Sequence, residues 1–175
     1  MSKREVLREL QARLADRLEA AKAQGTFVSS WLAVECAGRF YLLPLGQAGE
    51  IFPWVAVQQV PYTCDWFLGV ANLRGSVVGV VDLARFLGAV PARTEQNFSE
   101  ASLLALNAAL EVNAALLVDR LLGLRSPQAF VAADTPAQDA PPFFGTTYVD
   151  AQGTRWQELD LQRLSQTPAF LSINA

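Results

Sequence analysis

Four carboxylates invite a search for acid–base chemistry: Asp82, Asp119, Glu158 and Asp160. Glu158 and Asp160 lie two residues apart, which puts them on one face of a strand, where paired acids can act as proton donor and acceptor. Acids at strand ends also cap the turn that follows, and the capping role is the preferred reading here. The chain contains no histidine. That removes Ser-His-Asp and Cys-His catalysis, histidine-ligated metals and a phosphoaccepting histidine. Cys36 and Cys64 are the only cysteines and lack CxxC spacing, so they read as small core residues and not as a disulfide or metal site. The glycines at 69, 75 and 79 have neither the spacing nor the following helix of a phosphate loop. No cofactor, metal or nucleotide is implied, and the chain reads as a non-enzyme.

The segment that can recognise a partner is Asn72-Leu73-Arg74-Gly75. Glycine supplies the backbone freedom of a tight turn, and arginine projects a planar five-donor fork from a rigid hairpin end. The residues alone leave two readings open, a recognition site or an ordinary hairpin with an exposed arginine. The four tryptophans, Trp31, Trp54, Trp66 and Trp156, have no accompanying stripe of lysine or arginine and read as core or interface anchors, not as stacking platforms for bases.

The elements that must position this turn follow from periodicity. Residues 2–24 form an amphipathic helix carrying Val6, Leu7, Leu10, Leu14, Leu18 and Ala21, opened by the capping box of Ser2 and Glu5 and stopped at Gly25. From Thr26 the period turns strand-like. A hairpin over 31–45 is followed by strands at 50–57, 67–73 and 76–81, then a short helix over 83–88. Residues 91–101 read as a polar linker. Residues 143–161 repeat the plan of 66–83: an aromatic residue precedes a glycine, a strand meets a glycine turn, and a second strand ends in Asp-Leu-x-Arg. Residues 103–117 favour helix by composition, but the repeat demands a strand pair with a turn near 107–112. Residues 132–142, with three prolines, read as an irregular surface loop.

The 175-residue chain is half apolar, enough for a substantial core, and its net charge of −3 gives no basic field to attract nucleic acid or anionic lipid. No apolar run reaches the roughly twenty residues needed to span a bilayer, and the charged N-terminus is unlike a secretory leader, so a cytoplasmic protein is expected.

Taken in order, Phe40 to Leu45, Ala48-Gly-Glu-Ile51, Val60-Pro-Tyr-Thr63, Phe67 through Gly75, Val77 to Leu83 and Leu117-Val-Asp-Arg-Leu121 resemble the CheW family over about residues 28–165. That resemblance implies an all-β fold of two SH3-like five-stranded barrels with an N-terminal amphipathic helix and short connecting helices. The expected division is 1–25 for the helix, 26–92 and 93–166 for the barrels, and 167–175 for a tail. It further implies an adaptor between a chemoreceptor's cytoplasmic tip and the regulatory domain of a histidine autokinase, recruited to membrane-bound receptors without inserting in the membrane. By matching motif the receptor-binding residues are Glu50, Ile51, Asn72, Leu73 and Arg74; the kinase contact falls on the second barrel, at residues the resemblance does not specify. The polar strand Arg155-Trp-Gln-Glu-Leu-Asp-Leu161, where the family has a plainer apolar one, and the long N-terminal helix are similar to the branch serving type IV pilus twitching motility. A different binding module, a double-barrel regulatory or peptide-binding unit without a receptor, is the alternative.

Overall fold

The computed structural model describes residues 2–23 and 30–175. Helix α1 (Lys3–Ala23) opens with the expected capping box: Ser2 N donates to Glu5 Oε2 at 2.7 Å and Glu5 N to Ser2 Oγ at 3.2 Å. The helix stop at Gly25 lies outside the described residues. Only part of the expected apolar stripe faces the body. Leu14 and Leu18 are buried, and Gln11 Nε2 donates to Ser102 Oγ at 2.6 Å, whereas Val6 and Leu10 stay exposed.

The hairpin β1 (Trp31–Cys36) and β2 (Arg39–Pro44) is followed by β3 (Ala48–Pro53), β4 (Phe67–Leu73), β5 (Ser76–Asp82) and α2 (Leu83–Phe86). The expected linker over 91–101 instead holds α3 (Glu95–Glu100). Thr94 Oγ1 accepts from Asn97 N at 3.2 Å and Asn97 Oδ1 accepts from Thr94 N at 3.1 Å, a capping box with asparagine in the usual place of Glu or Gln. Then come β6 (Ser102–Leu106), a 3-10 turn at Ala108–Leu110, β7 (Ala114–Val118), β8 (Arg120–Arg125), β9 (Phe130–Asp134), β10 (Phe144–Asp150), β11 (Arg155–Leu159), α4 (Leu161–Gln166) and α5 (Pro168–Leu171). The repeat thus overrides helix propensity at 103–117. Of the expected loop at 132–142, the first three residues belong to β9, with Ala132 and Ala133 paired to Val149 and Tyr148.

These strands form two sheets, ordered β8-β1-β2-β11-β10-β9 and β3-β6-β7-β5-β4. The fold is all-β as expected, but the ladders are open sheets where closed barrels were anticipated: β3 and β4 end one, β8 and β9 the other. The edges of the β3–β4 sheet are covered by other means. Helix α1 packs on β3, and Gln58 bridges to Val70 beside β4, close enough that a Cβ on Gly69 would collide with the Gln58 carbonyl. Nor do the sheets follow a division of the chain near residue 92. Parallel pairing of β5 with β7, and of β11 with β2, gives each sheet strands from both halves.

One apolar layer, including Leu32, Leu43, Leu104, Leu116 and Leu159, lies between the sheets. Each sheet's other face carries its own cluster, around Leu103 and Leu117 in one and around Trp31 and Trp156 in the other. Central strands are therefore buried on both faces, which explains the unbroken apolar runs of β6 and β7.

One cation ties the layers at the crossover between β5 and β6. Arg93 Nε donates to Asp82 Oδ2 at 2.8 Å and Nη2 to Asp82 Oδ1 at 2.5 Å, while Nη1 reaches Asp119 Oδ1. Asp119 Oδ2 in turn accepts from Ala37 N at 2.7 Å in the β1–β2 turn. Asp82 is wholly buried and its other cation, Arg85, stands farther off at 3.6 Å, so removing Arg93 leaves a poorly compensated charge in the core. Arg93→Met should lower unfolding stability by about 3–5 kcal/mol. Urea denaturation checks this; a loss below roughly 1 kcal/mol, the scale of a surface pair, would show that Arg93 does not hold the crossover.

Candidate functional site

The turn joining β4 to β5 is two residues long, Leu73 pairing directly with Ser76. Arg74 (φ +50°) and Gly75 (φ +82°) are both left-handed, the backbone of a type I′ hairpin, and the Asn72 side chain accepts from Gly75 N at 2.8 Å. Holding a non-glycine residue at positive φ points the Arg74 side chain off the hairpin end, where it remains 76% exposed.

Glu50 is aimed by a second device. Between Ala48 and Ile51 the β3–β6 register shifts, leaving Gly49 and Glu50 on a β-bulge. The position at 49 must be glycine, because a Cβ there would stand 2.6 Å from the Ala105 carbonyl oxygen. Bulges of this kind re-aim a side chain. The result is an ion pair, Arg74 Nη2 to Glu50 Oε1 at 2.7 Å, between two elements distant in sequence.

The other residues named from sequence sit differently. Asn72 is exposed on the same hairpin. Ile51 and Leu73 are 7% and 6% accessible and belong to the core on opposite faces of this sheet, so they support the site from below and do not present an apolar contact. That contact is available instead from Val77, 62% exposed and paired across the hairpin with Asn72. Alternation along β5 does not reveal it, since Val81 on the same face as Val77 is buried between the sheets; Val77 stays open because it stands one residue from the hairpin end.

The four acids examined for catalysis all hold structure. Asp82 and Asp160 cap α2 and α4, accepting from Arg85 N at 3.4 Å and Arg163 N at 3.1 Å. Asp119 belongs to the Arg93 bracket, and Glu158 Oε2 accepts from Trp31 Nε1 at 2.5 Å. Burial pushes the Cys36 thiol well above its ordinary range, leaving it a packing residue. Among the described residues no cluster of acids and cysteines could hold a metal ion. No described helix is long and apolar enough to cross a membrane.

A family model described as a CheW-like domain matches residues 30–169. Protein PilI of Pseudomonas aeruginosa is 29% identical over 160 residues, covering 86% of this chain and 84% of PilI. Chemotaxis protein CheV3 of Helicobacter pylori is 28% identical over 57 residues, 33% of this chain and 18% of its own length. Among solved structures, a scaffolding protein, TtCheW of Thermoanaerobacter tengcongensis, superposes with a TM-score of 0.64 at 17% identity, over 81% of this chain and 94% of that one.

Because the Glu50–Arg74 pair is solvated, its contribution to stability is small. Arg74→Ala should change unfolding free energy by less than about 1 kcal/mol. Thermal and urea unfolding of the variant measure this, and a larger loss would make the pair a structural element and not a presented one.

Proposed function

The chain belongs to the CheW-like family, whose members are scaffolds and adaptors and not enzymes, and on that premise we propose that it couples a chemoreceptor's cytoplasmic tip to the regulatory domain of a histidine autokinase. The observation that carries this reading is the Glu50–Arg74 pair, built by two unrelated backbone devices yet left in water. A pair so placed is of little use to folding. It suits recognition of a helical hairpin, whose charged residues can exchange with the pair while Val77 meets its apolar face.

The proposed receptor site comprises Glu50, Asn72 and Arg74 at the surface, with Ile51 and Leu73 fixing their positions from the core. The kinase regulatory domain is assigned to the other sheet, β8-β1-β2-β11-β10-β9, so that both partners can be held together. The likeness to PilI, together with the polar strand β11 and the long α1, supports a place in a chemosensory system that controls type IV pilus twitching motility. Such an adaptor works in the cytoplasm and reaches the membrane only through its receptors.

Purified receptor cytoplasmic fragment and kinase regulatory domain test this by calorimetry. Arg74→Glu places like charges together and should weaken receptor binding by at least about tenfold, the scale of a charge reversal at an interface, with kinase-domain binding unchanged. No complex with either partner, or receptor affinity indifferent to Arg74→Glu, contradicts the proposal.

A further inference from the structure

The two sheets are built on one plan, so their positions can be compared residue by residue. Asp82 and Asp160 cap equivalent helices, and their amides donate to the Trp66 and Phe143 carbonyls, both at 2.8 Å. The parallel ladders share a register, Gly79 opposite Ala114 in one and Gln157 opposite Tyr41 in the other. Counting outward from these pairs, Val77 corresponds to Arg155 and Val112 to Arg39. On the flanking strands Phe67 corresponds to Phe144, their partners being Val81 and Leu159.

At this corner the likeness fails, and it fails in chemistry. In the first sheet the Phe67 ring lies over Gly79, with Cε2 2.9 Å from where a Cβ would stand, and fills the space. In the second sheet the glycine is replaced by Gln157. Its amide is consumed locally, Nε2 donating to the Gly145 and Glu158 carbonyls at 3.0 and 2.8 Å and Oε1 accepting from Thr147 Oγ1 at 2.9 Å. A cavity of about 350 Å³ opens instead, lined by Arg39, Tyr41, Phe144, Thr147, Arg155 and Gln157 among others, none of them acidic. Two valines of one sheet have become two arginines around a hollow in the other.

Outside the cavity Arg155 pairs with Asp134 at 3.2 Å, and a guanidinium has further donors to offer. Arg39 stands beside the Tyr41 hydroxyl, which burial holds above its ordinary pKa and Arg39 draws back. This cationic spot lies on a chain of net charge −3, so it is not part of a general basic field.

We propose that the cavity is a socket for an acidic side chain of a protein partner, its carboxylate held between Arg39 and Arg155 and its methylene carbons against Tyr41 and Phe144. A planar guanidinium matches a carboxylate with two parallel hydrogen bonds, and the aromatic walls exclude water from one side of it. The occupant is a protein side chain because the hollow is open and bordered by the exposed β1–β2 turn: a bare carboxylate meets two guanidiniums still in water, and the methylene carbons that reach Tyr41 and Phe144 add the apolar contact it lacks. A partner surface brings its own apolar rim to Phe40 and removes that water. The sheets therefore offer unlike ends, an apolar one at Val77 and Val112 and a cationic one at Arg39 and Arg155.

The test is an amide and arginine side-chain NMR titration of the full chain with N-acetyl-glutamate α-amide, with the glutamine analogue and acetate as controls. The glutamate compound should shift Tyr41, Thr147 and Gln157 amides and both arginine Nε–H signals, with saturation, and bind more tightly than either control. Arg39→Val with Arg155→Val, which installs the other sheet's residues, should weaken that binding by at least about tenfold, as losing charge-assisted hydrogen bonds does. Arg39→Gln with Arg155→Gln, which keeps polar side chains, should do the same. Equal binding of the glutamine analogue, equal binding of acetate, or affinity unchanged in both double variants overturns the proposal.

Discussion

Two parallel strand pairs, β5 with β7 and β2 with β11, are the constraint on which the rest of the molecule depends. Parallel neighbours cannot be joined by a tight turn, so each pair obliges the chain to cross over the core. Here the crossings also trade strands: neither half of the sequence owns a complete sheet. The apolar layer between the sheets is consequently shared, with Leu32 and Leu43 from the first half packed against Leu116 and Leu159 from the second. Arg93 sits at one crossing and converts it into a fixed corner, binding Asp82 at the end of β5 and Asp119 after β7.

Much of this was legible in the residues. The copy of 66–83 at 143–161 was visible because both end in an aspartate that must cap a helix, and Asp82 and Asp160 do so with nearly equal backbone angles, φ −76° and −79°. The Leu/Ala run at 103–117 forms strands against its propensity, as the repeat requires, and it does not alternate because those strands are buried on both faces. What could not be read was pairing between distant segments. A repeat announces two similar units without saying that they exchange strands, so division near residue 92 followed naturally from sequence order. Arg93 looked like one more polar residue of a linker, because its two partners lie 11 and 26 residues away.

The candidate site shows the same division. Arg74 was identifiable from its turn and Glu50 from motif resemblance, but nothing in the sequence paired the two, and Ile51 and Leu73, named as contacts, are core. Their positions depend on which face of β3 and β4 the bulge at Gly49 and the packing of the sheet turn inward, a consequence of register and not of residue type. Val77 takes the exposed apolar position because it stands beside the β4–β5 turn, beyond the reach of the layer that buries Val81 on the same face.

An adaptor needs faces that do not compete, and a duplicated fold supplies them cheaply once its copies diverge. One sheet keeps glycine at 79 and a filled, apolar corner; the other carries Gln157 and an open, cationic one. On the proposed function, this chain physically joins receptor to kinase. Vesicles bearing the receptor, mixed with the kinase and sedimented with and without the chain, test it directly. Kinase recovered in the pellet only when the chain is present, rising to saturation with its concentration, is the predicted result. Kinase recovery that is the same without the chain, or a chain that stays in the supernatant beside receptor vesicles, would contradict it.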